Sequence, residues 1–173
     1  AGEVCSNATR VFVHRSIAQE LIDRLVEKTA KLNVGDPMAE DVQIGALISE
    51  QHLGKVMGMI TKGVEEGAQL AVGGARVRPQ GFENGYFVEP TIFDQVTADM
   101  NIAREEIFGP VVTLHPFSDD QEAIEIANMT DYGLAGSIWT ADSEAGSAMA
   151  EQIDLGMIWV NCWLHRDLRV PFG

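Results

Sequence analysis

Basic residues are scarce in this chain: 12 Lys and Arg stand against 26 Asp and Glu, a net charge of −14 over 173 residues. That shortage excludes nucleic acid and anionic membrane surfaces as partners, because both bind through a basic footprint. Cysteine is rarer still. Cys5 and Cys162 stand at opposite ends of the sequence, too sparse for the disulfide framework of a small secreted domain. Their scarcity points to a reducing, cytoplasmic setting. No signal-peptide pattern is present, and no apolar run approaches the roughly 18 residues of a membrane span. His14, His115 and His165 show no metal-ligand spacing, so no metal is expected. Internal repeats, low-complexity tracts and linkers are missing too. What is there, 46% apolar and 22% charged residues, is the composition of one globular α/β domain long enough to bury a core.

The apolar pattern alternates between strand and helix periods. "TRVFVH" reads as a strand from its β-branched and aromatic content. Ser16 with Gln19 has capping-box spacing and opens a helix whose face carries Ile17, Leu21 and Leu25. A second helix follows Ser49, with Leu53, Val56, Met57, Ile60 and Val64 as its stripe and Gly67 placed to end it. "QLAVGG" is a short strand into a turn, "VRPQGFENGYF" a turn-rich excursion, "VEPTIFDQV" an extended piece and "VVTLHPF" a buried strand. Ser118 with Gln121 repeats the capping spacing and opens a helix through Ala127. "GLAGSIWT" is a strand, Ser143 to Ile153 a helix, and "GMIWVN" a last strand. Strands alternating with helices imply βαβ units, hence a largely parallel twisted sheet flanked by helices.

Three stretches carry chemistry. Cys5 sits in "GEVCSNATRVFV" with no Lys or His flanking it, and on its own reads more readily as a small buried apolar residue than as a nucleophile. "REEIFGPVV" (Arg104–Val112) reads either as a short helix stopped by Gly109-Pro110 or as a turn that holds a carboxylate for a ligand diol. "WVNCWLHRDLRVPFG" follows a strand, at the end where open α/β sheets place their crevices. It mixes Trp163, Leu168 and Phe172 with Arg166, Asp167 and Arg169, the composition of a pocket wall.

Together these stretches resemble the aldehyde dehydrogenase superfamily over essentially the whole chain. "GEVCSNATRVFV" is similar to its catalytic-cysteine segment and "REEIFGPVV" to its nicotinamide-ribose motif; "GLAGSIWT", "WVN" and "PFG" follow in the family's order. The resemblance implies that Cys5 is the nucleophile, forming a thiohemiacetal and then a thioester, with its own N–H as an oxyanion donor. It implies that Glu106 holds the nicotinamide ribose of NAD or NADP, with Phe108 beside the nicotinamide. His52 and Lys55 align with positions near the adenosine ribose, the first being usually Gln in the family. It implies further that residues 1–173 are part of the catalytic domain of a longer, homo-oligomeric enzyme. The general base, the cofactor-binding domain and the oligomerisation segment would then lie outside this chain, which alone would be inactive.

The substrate signals diverge. The Cys5 segment is most similar to betaine-aldehyde and aminoaldehyde dehydrogenases, whose substrates carry a cation. "NCWLHRDLR" is more similar to muconic semialdehyde dehydrogenases, whose substrates carry carboxylates. Because the loop meets the variable part of the substrate, a carboxylate-bearing semialdehyde is expected, with Arg166 holding the carboxylate and Trp163 and Phe172 lining the pocket. An ion pair of Arg166 with neighbouring Asp167 or with a surface glutamate is the competing reading. A cysteine hydrolase using His14 or His165 as base, or a non-catalytic α/β module, are the readings from other classes.

Overall fold

The computed structural model describes residues 1–172. Gly173, the last residue of the Pro-Phe-Gly motif, lies outside the described residues. The chain divides into two compact units, one built from residues 1–4 and 9–116, the other from residues 5–8 and 117 onward.

The first unit holds a four-stranded sheet in the order β1 (Arg10–His14), β6 (Val111–Phe117), β5 (Thr91–Asp94), β2 (Gln69–Val72). Parallel pairing joins β5 to β6, and β2 adds antiparallel to β5 across a bulge between Leu70 and Val72. Adjacent residues of β5 serve opposite faces, as a strand's period of two requires. Ile92 packs with Ile22 and Leu114 beneath α1 (Arg15–Thr29). Phe93 faces Gly63 of α2 (Glu50–Glu65) and Ile102 of α3 (Asn101–Arg104). A small antiparallel pair, β3 (Arg76–Val77) with β4 (Phe87–Val88), completes the unit. In the second unit, β7 (Ala135–Ile138) runs parallel to β8 (Met157–Val160), with α4 (Asp120–Ala127) and α5 (Ser143–Ala150) as its helices. The α/β class and the parallel pairings are those expected from the sequence. Among the described residues no helix is long and apolar enough to cross a membrane.

Several local expectations are corrected. The cap of α1 is His14, whose Nδ1 accepts from the Ser16 N–H at 3.3 Å, so Ser16 lies inside the first turn. The buried stripe therefore centres on Ile22, and Ile17 is 54% exposed. Asp119, not Ser118, caps α4: its carboxylate accepts from Glu122 N–H at 3.0 Å, and Glu122 reaches back to the Ser118 N–H at 2.7 Å. A carboxylate at the cap outcompetes the neighbouring hydroxyl here. α5 ends at Ala150 rather than Ile153. The "turn-rich excursion" ends in buried Phe87, and Glu89-Pro90 breaks the extended piece into β4 and β5. Ser49 does cap α2, accepting from His52 N–H at 3.1 Å, and Gly67 at φ +97° follows its end. Val64, however, is exposed, and Gly63 takes the inward place.

His115 on β6 is only 2% exposed. Its Nε2 lies 2.9 Å from the Thr113 hydroxyl, and the Phe12 ring is 5.3 Å away. Burial, then the nearby Arg10 charge, push its pKa down to about 4. Between the ordinary value near 6.5 and about 4, the unfolded chain therefore binds a proton that the folded chain refuses. Stability should fall as pH drops through that window and level off below it, by about 3 kcal/mol from this group. Denaturant unfolding at stepped pH should show the slope, and His115→Leu should flatten it; an unchanged slope would place the acid sensitivity elsewhere.

Candidate functional site

In the first unit, α2 organises the segment from Asn101 to Pro110. At its C-terminal end, Glu66 accepts from the Asn101 backbone N–H at 2.7 Å and also from the Asn101 side-chain amide, which starts α3. α3 ends at Arg104, so Glu105, at φ −97° and ψ 140°, is already extended. The helix reading of "REEIF" is thereby corrected: no helix carries the carboxylates to Gly109-Pro110. The extended segment then passes along α2. Lys55 Nζ donates to the Glu106 carbonyl at 2.8 Å, and His52 Nε2 meets the Phe108 carbonyl at 2.7 Å. A carbonyl can only accept, so that nitrogen carries the hydrogen. His52 and Lys55 are one helical turn apart and therefore share a face of α2. Between their two anchors Ile107 is 5% exposed.

Phe108 takes φ +58°, a left-handed conformation that side-chain-bearing residues seldom adopt. Gly109 follows because a Cβ there would come within 2.9 Å of Val56 Cγ2. On its other side runs Gly2, at φ +78°, where a Cβ would come within 2.3 Å of the Gly109 oxygen. Two glycines thus allow two backbones and a helix to meet. Glu3 comes next, and its Oε1 accepts from Ile48 N–H at 3.2 Å and lies 3.5 Å from His52 Nε2. Glu3, Ile48, Ser49, Gln51, His52, Lys55 and Phe108 line a cavity of about 520 Å³. The Glu106 side chain is exposed. So the structure brings His52, Lys55, Glu106 and Phe108 together, but the polar ends of His52 and Lys55 are on main-chain carbonyls. Sequence reading missed Glu3 entirely; its contacts to residues 45 and 49 positions away carry no local signal.

In the second unit, Cys5 is an exposed free thiol and Cys162 is free as well. Trp163 Nε1 donates to the Ser6 carbonyl at 3.2 Å, tying the loop after β8 to the residue next to Cys5. Asn161, two residues before Trp163, and Leu164, the residue after it, both take φ +55°. Trp159, buried on β8, donates from its indole to the His165 carbonyl at 2.8 Å and lies 6.3 Å from the Phe172 ring. Above that ring, 4.1 Å from its centroid, is the Arg166 guanidinium. The pairing of Arg166 with Asp167 does not form: Asp167 takes Arg169 instead, with Arg169 Nη2 to Asp167 Oδ2 at 2.5 Å. That pairing holds the Asp167 carboxyl below its usual range. A guanidinium stacked on an aromatic face keeps its edge donors directed outward, where they suit a carboxylate. Among the described residues no cluster of His, Cys, Asp and Glu forms a metal site.

Comparison with known proteins places these features in context. The profile of the Aldehyde dehydrogenase family matches residues 1–173. Betaine aldehyde dehydrogenases of Brucella anthropi and Brucella melitensis are each 49% identical over 172 residues, covering 99% of this chain and 35% of their own length. The chain thus spans about a third of the length of these curated relatives. Among solved structures, betaine aldehyde dehydrogenase from Staphylococcus aureus in complex with NAD+ superposes with a TM-score of 0.95 at 35% identity, over 100% of this chain and 34% of that one. An aldehyde dehydrogenase from Bacillus cereus, an E194S mutant, gives 0.93 at 40% identity, over 99% and 34%.

Gly109→Ala tests the packing on α2. Val56 is fully buried and branched at Cβ, so it yields little. The variant should lose about 1–3 kcal/mol in denaturant unfolding; a loss within error would mean that the segment is not clamped.

Proposed function

The chain belongs to the aldehyde dehydrogenase family, and on that premise we propose that the whole enzyme oxidises an aldehyde to a carboxylic acid, with Cys5 as nucleophile. The observation that carries the reading is the exposed free thiol of Cys5 in the family's cysteine segment, on a loop held through Ser6 by Trp163. The thiolate forms a C–S bond to the aldehyde carbon and sends the carbonyl electron pair to oxygen. The Cys5 main-chain N–H is one donor to that oxyanion. NAD(P)+, when bound, takes the hydride from the adduct carbon. Cys5 then carries the acyl group as a thioester until water cleaves the C–S bond, releasing the acid and restoring the thiol.

The residues of the first unit fit the nicotinamide half of such a dinucleotide. Glu106 offers an exposed carboxylate to accept from ribose hydroxyls, and Phe108 borders a cavity with a half-buried aromatic ring. In this reading His52 and Lys55 serve the cofactor through the backbone they hold. Residues 1–173 then form part of the catalytic domain of a homo-oligomeric cytoplasmic enzyme, with the rest of the cofactor site supplied by other segments.

For the substrate, the Arg166 stack on Phe172 supports an aldehyde that bears a distant carboxylate, such as a muconic semialdehyde. The exposed Arg166 guanidinium would repel a quaternary ammonium that approached it. The names of the 49%-identical relatives favour a second reading, betaine aldehyde.

Two measurements on the full-length enzyme test these assignments. Cys5→Ala should abolish turnover and leave nucleotide affinity nearly unchanged, while Glu106→Gln should lower kcat by roughly tenfold through a misplaced ring. Retained turnover in Cys5→Ala would remove the nucleophile. For Arg166→Ala, kcat/KM should drop by about 2–4 kcal/mol with a carboxylate-bearing aldehyde and hardly move with betaine aldehyde. Wild-type preference for the cationic aldehyde would settle the choice in favour of the relatives.

A further inference from the structure

His52 and Glu3 form a contact that nucleotide binding by itself does not require. We propose that His52 is a positioning residue: through its bond to the Phe108 carbonyl it fixes where the Phe108 ring stands, with the Glu3 carboxylate lying beside the same ring nitrogen. The proposal rests on the function argued above, because the ring matters only if it borders the reacting nucleotide.

Four observations converge on it. Phe108 occupies a left-handed backbone conformation at φ +58°, which persists only where surroundings over-determine it. The bond from His52 Nε2 to its carbonyl, at 2.7 Å, is the one polar side-chain contact on that carbonyl among the described residues. The imidazole also meets the Phe108 ring edge-on, with centroids 6.3 Å apart and planes at 67°. His52 is itself held at both ends. Its backbone N–H is bound by the Ser49 cap, and its ring lies 3.5 Å from Glu3 Oε1, which Ile48 N–H fixes in turn. The His52 and Glu3 side chains are only 16% and 19% exposed, so solvent competes weakly for these bonds.

Gly109, pressed between Val56 and Gly2, leaves the chain no slack beyond the carbonyl. Loss of the His52 bond is therefore relieved at Phe108, where rotation of the peptide swings the ring. The charged groups around this contact are Glu3, which faces the imidazole, and Lys55 and Glu106, which meet each other through the Glu106 carbonyl.

The full-length enzyme tests this with His52→Leu, which keeps bulk and removes the donor, and His52→Gln, whose amide N–H can reach the same carbonyl. Without nucleotide, amide hydrogen exchange over residues 104–110 should speed up by about tenfold or more in His52→Leu and return close to wild type in His52→Gln. In steady state, His52→Leu should lower kcat by about tenfold with little change in aldehyde KM, and His52→Gln should recover most of it. Should His52→Leu not fold, His52→Asn, too short to reach, carries the same expectations. Unchanged exchange in the leucine variant overturns the proposal, as does equal impairment of both variants. So does a fall in nucleotide affinity with kcat intact, which is the signature of direct ligand contact. If Cys5→Ala stays active the proposed function falls instead, while the exchange result still decides the role of His52.

Discussion

The first unit depends on a single arrangement: a helix whose polar side chains are spent on another segment's backbone. α2 holds Asn101 with Glu66, the Glu106 carbonyl with Lys55 and the Phe108 carbonyl with His52, and it presents Val56 to Gly109. A segment that leaves a four-residue helix and heads for a strand has no ladder partners for these carbonyls. Without α2 it would leave them to water, and a half-buried backbone pays for unmatched groups. The helix acts as a substitute strand edge, made of side chains. Its apolar stripe, Leu53, Val56 and Ile60, is buried in the core, so the anchoring face cannot rotate away.

That arrangement explains what was legible in the sequence. The α2 start at Ser49 and the glycine after its end carry strong local chemistry, and both were read correctly. β6, β7 and β8 were visible because their apolar runs match a strand's period and length. The course of "REEIF" was not. Its residues look like a helix beside a stop signal, and what keeps them extended comes from partners 51 and 56 residues away. Caps failed for a different reason: Ser16 and Ser118 have the right spacing, yet an imidazole two positions before Ser16 and a carboxylate one position after Ser118 are the better acceptors.

The candidate residues divide along the same line. Cys5, Glu106 and Phe108 could be named from motif alone. That the ends of His52 and Lys55 would be occupied by main-chain carbonyls could not, because a sequence lists side chains and hides which backbone groups need partners. Arg166 is the intermediate case. Its neighbour Asp167 suggested an ion pair, but the two-residue spacing to Arg169 gave a better fork, and Arg166 was left to stack on Phe172.

The indole of Trp163, bonded to the carbonyl of Ser6, has one more consequence. The chain has three tryptophans, and two of them have their N–H on groups of their own neighbourhood, Ser137 for Trp139 and His165 for Trp159. Trp163 alone reports on a residue 157 positions away, beside the free thiol. Of the three indoles, it is therefore the one whose surroundings change if the loop that carries Cys5 moves.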